Sequence, residues 1–167
     1  VLKETGAGAI KMEGGAHFAD TVAFLVQRGV PVMGHIGLTP QAVNALGGYG
    51  ARGRSEAEAK KIAADARAVA DAGAFAMVIE GVMEPLAKAI TAEVKCPTIG
   101  IGASPDCDGQ VLVVDDMLGM FERVPRFVRR FDDIASRITE AAASYAAAVK
   151  DRSFPGEAEL YRPKAKS

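Results

Sequence analysis

Apolar and polar blocks alternate along the chain, and the pattern predicts strands that are separated by helices. Five short apolar segments have the length and composition of buried strands. They are AIKMEGG at residues 9–15, VPVMGHIG at 30–37, FAMVIEG at 75–81, PTIGIGA at 97–103 and QVLVVDD at 110–116. Strands with apolar residues on both faces are typical of a parallel sheet that is covered by helices. In the first strand, alternation directs Ile10 and Met12 to one face and Lys11 and Glu13 to the other.

Amphipathic segments between the strands predict the helices. They cover residues 17–28, 55–71 and 85–94, together with an Ala-rich segment from about 126 to 149. Ser55 is a candidate N-cap, and Glu58 three residues later completes the pattern of a capping box. The first residues, VLKETGAGA, have the pattern of a helix end, with Gly6 and Gly8 as stop signals.

An internal repeat indicates the architecture. GAGAIKME resembles DAGAFAMVIE, and VPVMGHIG resembles CPTIGIGA, with Gly8 and Gly73 standing 65 residues apart and Pro31 and Pro97 standing 66 apart. Such paired strand–helix units favour a (β/α)8 TIM barrel, and a doubly wound α/β sheet is the alternative. Five predicted strands are too few to close an eight-stranded barrel. We therefore predict one barrel domain over residues 1–167, incomplete at its N-terminus, with C-terminal helices and a tail from 126 to 167.

The amino-acid composition of the chain argues against some classes of function, above all binding to nucleic acid or to a membrane surface. The chain has 167 residues, 49% of them hydrophobic, and a formal net charge of -1. This balance gives no reason to expect nucleic acid or an anionic membrane as a partner. Only two cysteines occur, Cys96 and Cys107, without metal-site spacing, which predicts a reducing, cytoplasmic location.

Ionisable residues recur where the predicted strands end, which is where TIM barrels carry their active sites. The candidates are Lys11, Glu13, His35 and Glu80, followed by the GIGAS loop at 100–104 and by Asp115 and Asp116. Each also has a structural interpretation: a cap, an ion pair or a core histidine. Their recurrence at one edge favours a site.

The residue types suit an enolisation reaction. A lysine ammonium binds a substrate carboxylate, and a carboxylate with acidic neighbours binds Mg²⁺, which prefers oxygen ligands. Glu80 is a candidate general base, and a metal that polarises a keto oxygen would favour loss of a proton from the adjacent carbon.

A family resemblance rests on the segments IKMEGG, VPVMGHIGLTPQAVNALGGYGARGR, DAGAFAMVIEGV, CPTIGIGASPDCDGQVLVVDDMLGM and PRFVRRF. The chain resembles the ketopantoate hydroxymethyltransferase family from residue 1 to about 161. This resemblance implies a barrel of the phosphoenolpyruvate/pyruvate superfamily type and a one-carbon transferase of pantothenate biosynthesis. The reaction would transfer a hydroxymethyl group from 5,10-methylenetetrahydrofolate to the keto acid 3-methyl-2-oxobutanoate, giving 2-dehydropantoate, with Mg²⁺ and in a homo-oligomer.

The resemblance also implies residue roles. Lys11 would contact the keto acid, Glu13 would bind the metal, His35 would line the substrate pocket and Glu80 would be the catalytic proton acceptor. The chain departs from the family pattern at Gly50 and Arg52, where the family usually has Lys and Gln. It also departs at Gly81–Met83 and at Ser104.

The resemblance further implies that the part corresponding to about the first third of the family's sequence is missing before Val1. The family's other metal-binding aspartates belong to that part, so we expect Mg²⁺ binding by this chain to be greatly weakened. Two alternatives therefore stay open. The chain is an inactive truncated form that acts only in assembly, or it is another enolate-forming member of the superfamily, such as a lyase.

Overall fold

A parallel sheet and its helices form the first of two compact units. The computed structural model describes residues 2–42 and 50–163, and their contacts divide the chain after Leu112. The strands are β1 (Ile10–Glu13), β2 (Val32–Gly37), β3 (Ala76–Glu80), β4 (Thr98–Ile101) and β5 (Gly109–Gln110). The helices of this unit are α1 (Leu2–Thr5), α2 (Ala19–Val26), α3 (Glu56–Asp71) and α4 (Glu84–Glu93), with 3-10 turns at Ala16–Phe18 and Pro40–Ala42.

The strand order distinguishes between the two predicted architectures. The five strands are all parallel, and they lie side by side in chain order, β1-β2-β3-β4-β5. A doubly wound sheet reverses its strand order at a switch point, whereas a barrel wall keeps it. The predicted α/β fold of the (β/α) barrel type is confirmed, represented here by five consecutive strands.

The hydrophobic core lies on one face of the sheet, between strands and helices. Met77 and Ile79 of β3 are fully buried there, together with Val69 of α3 and Ile90 of α4. Burying each side chain of this size contributes roughly 1.5–3 kcal/mol. The alternate residues of the strands point to the opposite face, which is therefore available for polar groups.

Helix α3 begins as predicted, but only half of the predicted capping box forms. The Ser55 hydroxyl accepts a hydrogen bond from the Glu58 N–H at 3.2 Å. The Glu58 carboxylate does not return to Ser55. It accepts hydrogen bonds from the N–H groups of Gly53 and Arg54, because the chain before the helix turns back within its reach.

The predictions fail most clearly after residue 110. The strand predicted over 110–116 is only Gly109–Gln110, and residues Val114–Met117 form helix α5. Asp115 and Asp116 lie in the first turn of this helix, where acidic residues favour helix formation. Helix α6 (Ile134–Lys150) begins eight residues later than predicted, because Asp133 is its N-cap and accepts from the Ser136 N–H.

The second unit begins at Val113 and contains α5 and α6. None of the residues of α6 is buried, and Ile138, Tyr145 and Val149 are exposed. Within the part of the chain that the structure describes, we find no helix with the length and apolar character needed to span a membrane.

Candidate active site

Four predicted site residues lie together on the sheet face opposite the helices. Glu13 of β1 stands beside His35 of β2 in the parallel register, and Gly37 at the end of β2 stands beside Glu80 of β3. Lys11 lies two residues before Glu13 and shares its face. The alternation predicted for AIKMEGG is therefore confirmed, since Ile10 and Met12 pack against the core.

His35 is the residue that connects the other three. Its side chain is 2% exposed, and Nδ1 lies 3.3 Å from Lys11 Nζ and 3.5 Å from Glu13 Oε1. Its Nε2 lies 3.1 Å from Glu80 Oε2. An ammonium group only donates hydrogen bonds, so Nδ1 accepts from Lys11. A neutral imidazole would then carry its proton on Nε2, the nitrogen beside Glu80.

The Nε2 atom is buried without an aligned hydrogen bond. Glu80 Oε2 is close enough, but among the described residues no acceptor meets this nitrogen in hydrogen-bond geometry. A buried polar group in this condition costs about 1–3 kcal/mol. A small rotation of the Glu80 carboxylate, or a polar group of a ligand, would therefore be stabilised at this position.

Glu80 is fixed by backbone contacts on both sides. Its side chain is 14% exposed, and its carbonyl accepts from the Leu38 N–H at 2.8 Å. The next N–H, that of Gly81, donates to the Ile101 carbonyl at 2.8 Å. Gly37 has a φ of +89°, and a Cβ on it would lie 2.4 Å from the Glu80 carbonyl oxygen. A glycine is therefore needed beside Glu80.

Glu13 holds the loop that follows β2. Its Oε2 accepts a hydrogen bond from the Gln41 N–H at 3.0 Å, and its side chain is 11% exposed. The role of Gln41 is not predicted from the sequence, although the residue belongs to the segment GLTPQ at 37–41. The contact joins residues 28 positions apart, so only the folded strand register brings them together.

A cavity of about 450 Å³ opens beside Glu13. Its lining includes Gly14, Gly15, Thr39 and Gln41 from the loops after β1 and β2, and Lys61 and Asp65 from α3. A cavity of this size is in the range of small-molecule sites. Its wall combines backbone, hydroxyl and charged groups, which can orient a polar ligand.

The other predicted rim residues do not join this group as strand ends. Asp115 and Asp116 lie in helix α5 of the second unit, so their prediction as the end of a fifth strand is wrong. Ser104 of the GIGAS loop is 2% exposed and donates to Glu84 Oε1 at 3.2 Å. This bond connects the loop to the first residue of helix α4. Of the segment GGYG, residues 47–49 lie outside the described residues.

The described residues alone do not fit a magnesium site. Residues 2–42 and 50–163 contain no group of three or more His, Cys, Asp or Glu side chains that could hold a metal ion. Glu13 offers one carboxylate, and its oxygens already contact the Gln41 N–H and His35 Nδ1. Mg²⁺ needs near-octahedral oxygen coordination, of which this is one potential ligand.

Comparison with known proteins identifies the family. The sequence profile of ketopantoate hydroxymethyltransferase matches residues 1–157. The chain is 69% identical over 164 residues to 3-methyl-2-oxobutanoate hydroxymethyltransferase of Novosphingobium aromaticivorans, an alignment that covers 98% of this chain and 57% of that protein. The corresponding protein of Erythrobacter litoralis is 67% identical, with 98% and 57% covered.

A more distant relative gives the same result. The 3-methyl-2-oxobutanoate hydroxymethyltransferase of Bartonella quintana is 56% identical over 167 residues, covering 100% of this chain and 61% of that protein. The chain thus spans about 57–61% of the length of these curated relatives. Since the family profile matches 157 of its 167 residues, this chain belongs to the ketopantoate hydroxymethyltransferase family.

Proposed function

We propose that the whole protein is a one-carbon transferase that moves a hydroxymethyl group from 5,10-methylenetetrahydrofolate to 3-methyl-2-oxobutanoate, giving 2-dehydropantoate. The observation that carries this proposal is the contact series Lys11–His35–Glu80 across the adjacent strands β1, β2 and β3. It offers a cation and a general base on one face of the sheet. The names of the curated relatives support the same reaction.

Lys11 is the proposed binding group for the keto acid. It is exposed, and its ammonium lies 3.3 Å from His35 Nδ1, so one nitrogen proton is directed into the site and the others can reach a ligand. A charge-assisted hydrogen bond to the substrate carboxylate would orient the keto acid. The same positive charge would favour the negative charge that develops when an enolate forms.

Glu80 is the proposed general base. Its carboxylate would take the proton from C3 of the keto acid, and the electrons of the broken C–H bond would form the enolate. The enolate carbon would then attack the methylene carbon of the iminium form of the folate cosubstrate, and the C=N electrons would move to nitrogen. Water would next replace the folate nitrogen on this carbon, which releases tetrahydrofolate and leaves the hydroxymethyl group of 2-dehydropantoate. His35 lines the pocket, and its Nε2, 3.1 Å from Glu80 Oε2, could meet the Glu80 carboxylate after a small rotation or a polar group of the substrate.

Glu13 is the proposed metal ligand of this chain, by resemblance to the family. No reaction step is assigned to Mg²⁺, because the described residues alone do not make its site. Isothermal titration of the chain with MgCl₂ tests this proposal. We expect weak binding that is lost in Glu13→Ala and kept in Glu93→Ala, a carboxylate paired with Arg67 on the helix layer.

The proposal also includes a cytoplasmic location of the protein and its assembly into a homo-oligomer. The two cysteines of the chain, Cys96 and Cys107, are both free thiols, which supports a reducing, cytoplasmic environment. The exposed apolar side chains of α6, Ile138, Tyr145 and Val149, support a role of this helix in a homo-oligomer.

Proton exchange tests the reaction directly. The protein, expressed from its whole reading frame, is incubated with 3-methyl-2-oxobutanoate in D₂O, and loss of the C3 proton is followed by NMR. We expect exchange in the unsubstituted protein and in Glu93→Gln, and none above background in Glu80→Gln. Exchange at an unchanged rate in Glu80→Gln would refute the role of Glu80.

A further inference from the structure

The segment 52–54 pairs with the loop that immediately follows Glu80. The Arg52 N–H donates to the Gly81 carbonyl at 2.7 Å, and the Arg52 carbonyl accepts from the Met83 N–H at 2.9 Å. These two bonds make a parallel bridge between Arg52 and Val82. The backbone after Glu80 is thus held by a segment that is not a neighbour in the sequence.

One carboxylate holds the 52–54 segment in place. Glu58 Oε2 accepts from the N–H groups of Gly53 at 2.9 Å and Arg54 at 3.1 Å, and Oε1 lies 2.8 Å from Arg52 Nη2. The Arg52 and Glu58 side chains are 22% and 26% exposed, so the group is partly withdrawn from solvent. Hydrogen bonds to an ionised acceptor are about twice as strong as neutral ones.

The path of the segment is also restricted sterically. Gly53 has a φ of +81°, and a Cβ on it would lie 2.6 Å from Leu86 Cδ2 of helix α4. The segment therefore passes close to α4 while its N–H groups bond to α3. Because both helices limit it, its position depends on the Glu58 contacts and cannot shift freely toward α4.

We propose that Glu58 is a positioning residue for Glu80, which acts through the 52–54 segment and the Gly81 peptide. This inference rests on the proposed function, since it assigns Glu58 a part in placing the general base. Glu80 has three backbone supports: Leu38 at its own carbonyl, Ile101 at the Gly81 N–H, and Arg52 at the Gly81 carbonyl. Glu58 controls the third. Without it, the 52–54 segment loses its anchor, its bond to the Gly81 carbonyl is weakened, and the Glu80 side chain shifts slightly from its position beside the substrate.

A helix-capping role alone does not account for these contacts. The N-cap of α3 is supplied by the Ser55 hydroxyl, which already accepts from the Glu58 N–H. The Glu58 carboxylate instead bonds to the chain before the cap. Its bonds serve the segment that touches the loop after Glu80.

Steady-state kinetics of the protein expressed from its whole reading frame test the inference. Glu58→Ala and Glu58→Gln are compared with Glu56→Gln, a matched control in the same helical turn whose exposed carboxylate pairs with Lys60. In Glu58→Ala we expect kcat for C3-proton exchange to fall about tenfold, since a small misplacement of a catalytic group is costly. KM for the keto acid stays within about twofold because Lys11 is not involved.

The conservative variant separates positioning from folding. Glu58→Gln keeps a carbonyl oxygen that can accept from Gly53 or Arg54, so its kcat should be intermediate. Amide hydrogen exchange of the peptide covering residues 81–83 should be faster in Glu58→Ala than in Glu56→Gln. An unchanged kcat in Glu58→Ala overturns the inference, as does an equal loss in Glu56→Gln.

Failure of the proposed function would be recognised separately. If the unsubstituted protein does not exchange the C3 proton, the assignment of the reaction is wrong. Amide exchange then decides the remaining claim: faster exchange at residues 81–83 in Glu58→Ala supports the link from Glu58 to the loop after Glu80, and unchanged exchange overturns it.

Discussion

His35 Nε2 lies 3.1 Å from Glu80 Oε2, yet this buried nitrogen has no aligned hydrogen bond among the described residues. The two side chains are therefore close enough to interact, but they do not form a hydrogen bond that would stabilise the fold. Natural proteins retain unsatisfied buried polar groups at sites where they bind or react. We therefore expect His35 to contribute to activity without contributing to stability.

Replacing His35 should affect activity and stability in opposite directions. His35→Leu removes an unsatisfied buried nitrogen and places an apolar side chain at a position that is 2% exposed, so the melting temperature should stay the same or rise. C3-proton exchange should fall by about ten- to a hundredfold, because Glu80 and Lys11 lose their shared contact. NMR exchange rates and thermal unfolding measure the two effects. A large fall in melting temperature would contradict this interpretation, and His35→Gln should recover part of the rate.

Lys11→Met should weaken binding of the keto acid. Loss of a hydrogen bond between charged groups costs about 1.5–3 kcal/mol, which raises KM roughly 10- to 100-fold. Lys60→Met is the control, since Lys60 is 75% exposed on the outer helix α3. Steady-state kinetics with varied keto acid measure the effect. Equal KM values in the two variants would exclude Lys11 as the binding group.

Gly37→Ala should destabilise the sheet beside the site. The residue has a φ of +89°, and the added Cβ would lie 2.4 Å from the Glu80 carbonyl oxygen and 2.5 Å from Val82 Cγ2. We expect a loss of more than about 1 kcal/mol in the free energy of unfolding, measured by urea denaturation. Gly8→Ala meets no atom within 4 Å and should leave stability nearly unchanged. Similar midpoints for both variants would argue against steric exclusion.

Asp108 should make the first unit sensitive to acid. The Thr98 N–H and then the Thr98 hydroxyl donate to its carboxylate at 2.8 and 3.0 Å, and these bonds lower the pKa of Asp108 below its ordinary value of 3.8. The folded-state pKa is thus below the unfolded one. The contribution to stability is therefore complete above about pH 4 and is lost as the pH falls through the folded-state pKa.

Melting temperatures between pH 6 and pH 3 check this dependence. Asp108→Asn should be less stable than the unsubstituted protein at pH 6, and the difference should shrink toward pH 3. Asp20→Asn, at an exposed position of α2, should follow the unsubstituted protein. A difference that does not change with pH would mean that the charge of Asp108 contributes nothing.

The sequence predicted those features that depend on local pattern. The alternation in AIKMEGG correctly separated Lys11 and Glu13 from Ile10 and Met12, and Ser55 correctly began a helix. The repeat correctly indicated parallel strands in chain order. Each of these follows from residue spacing, which a sequence displays directly.

Features that depend on three-dimensional proximity could not be predicted. The central position of His35 requires the register that sets Glu13 beside it, and the reach of Glu58 requires the turn at residues 52–54. The segment QVLVVDD was misassigned because its apolar run suits a strand, whereas its two aspartates suit a helix start. The local propensities of these residues do not decide between a strand and a helix.

Because the described helices of the first unit pack against one face of the sheet, the strands are more vulnerable to insertion than to substitution. The register of the structure pairs Ile10 with Val32 and Glu13 with His35. An extra residue between Gly8 and Ile10 would shift β1 by one position against β2. Lys11 and Glu13 would then be directed into the packed apolar layer, and Ile10 and Met12 would be directed toward His35. A single inserted codon just before β1 would remove the cation and a carboxylate from the site while it introduced two charges into the core.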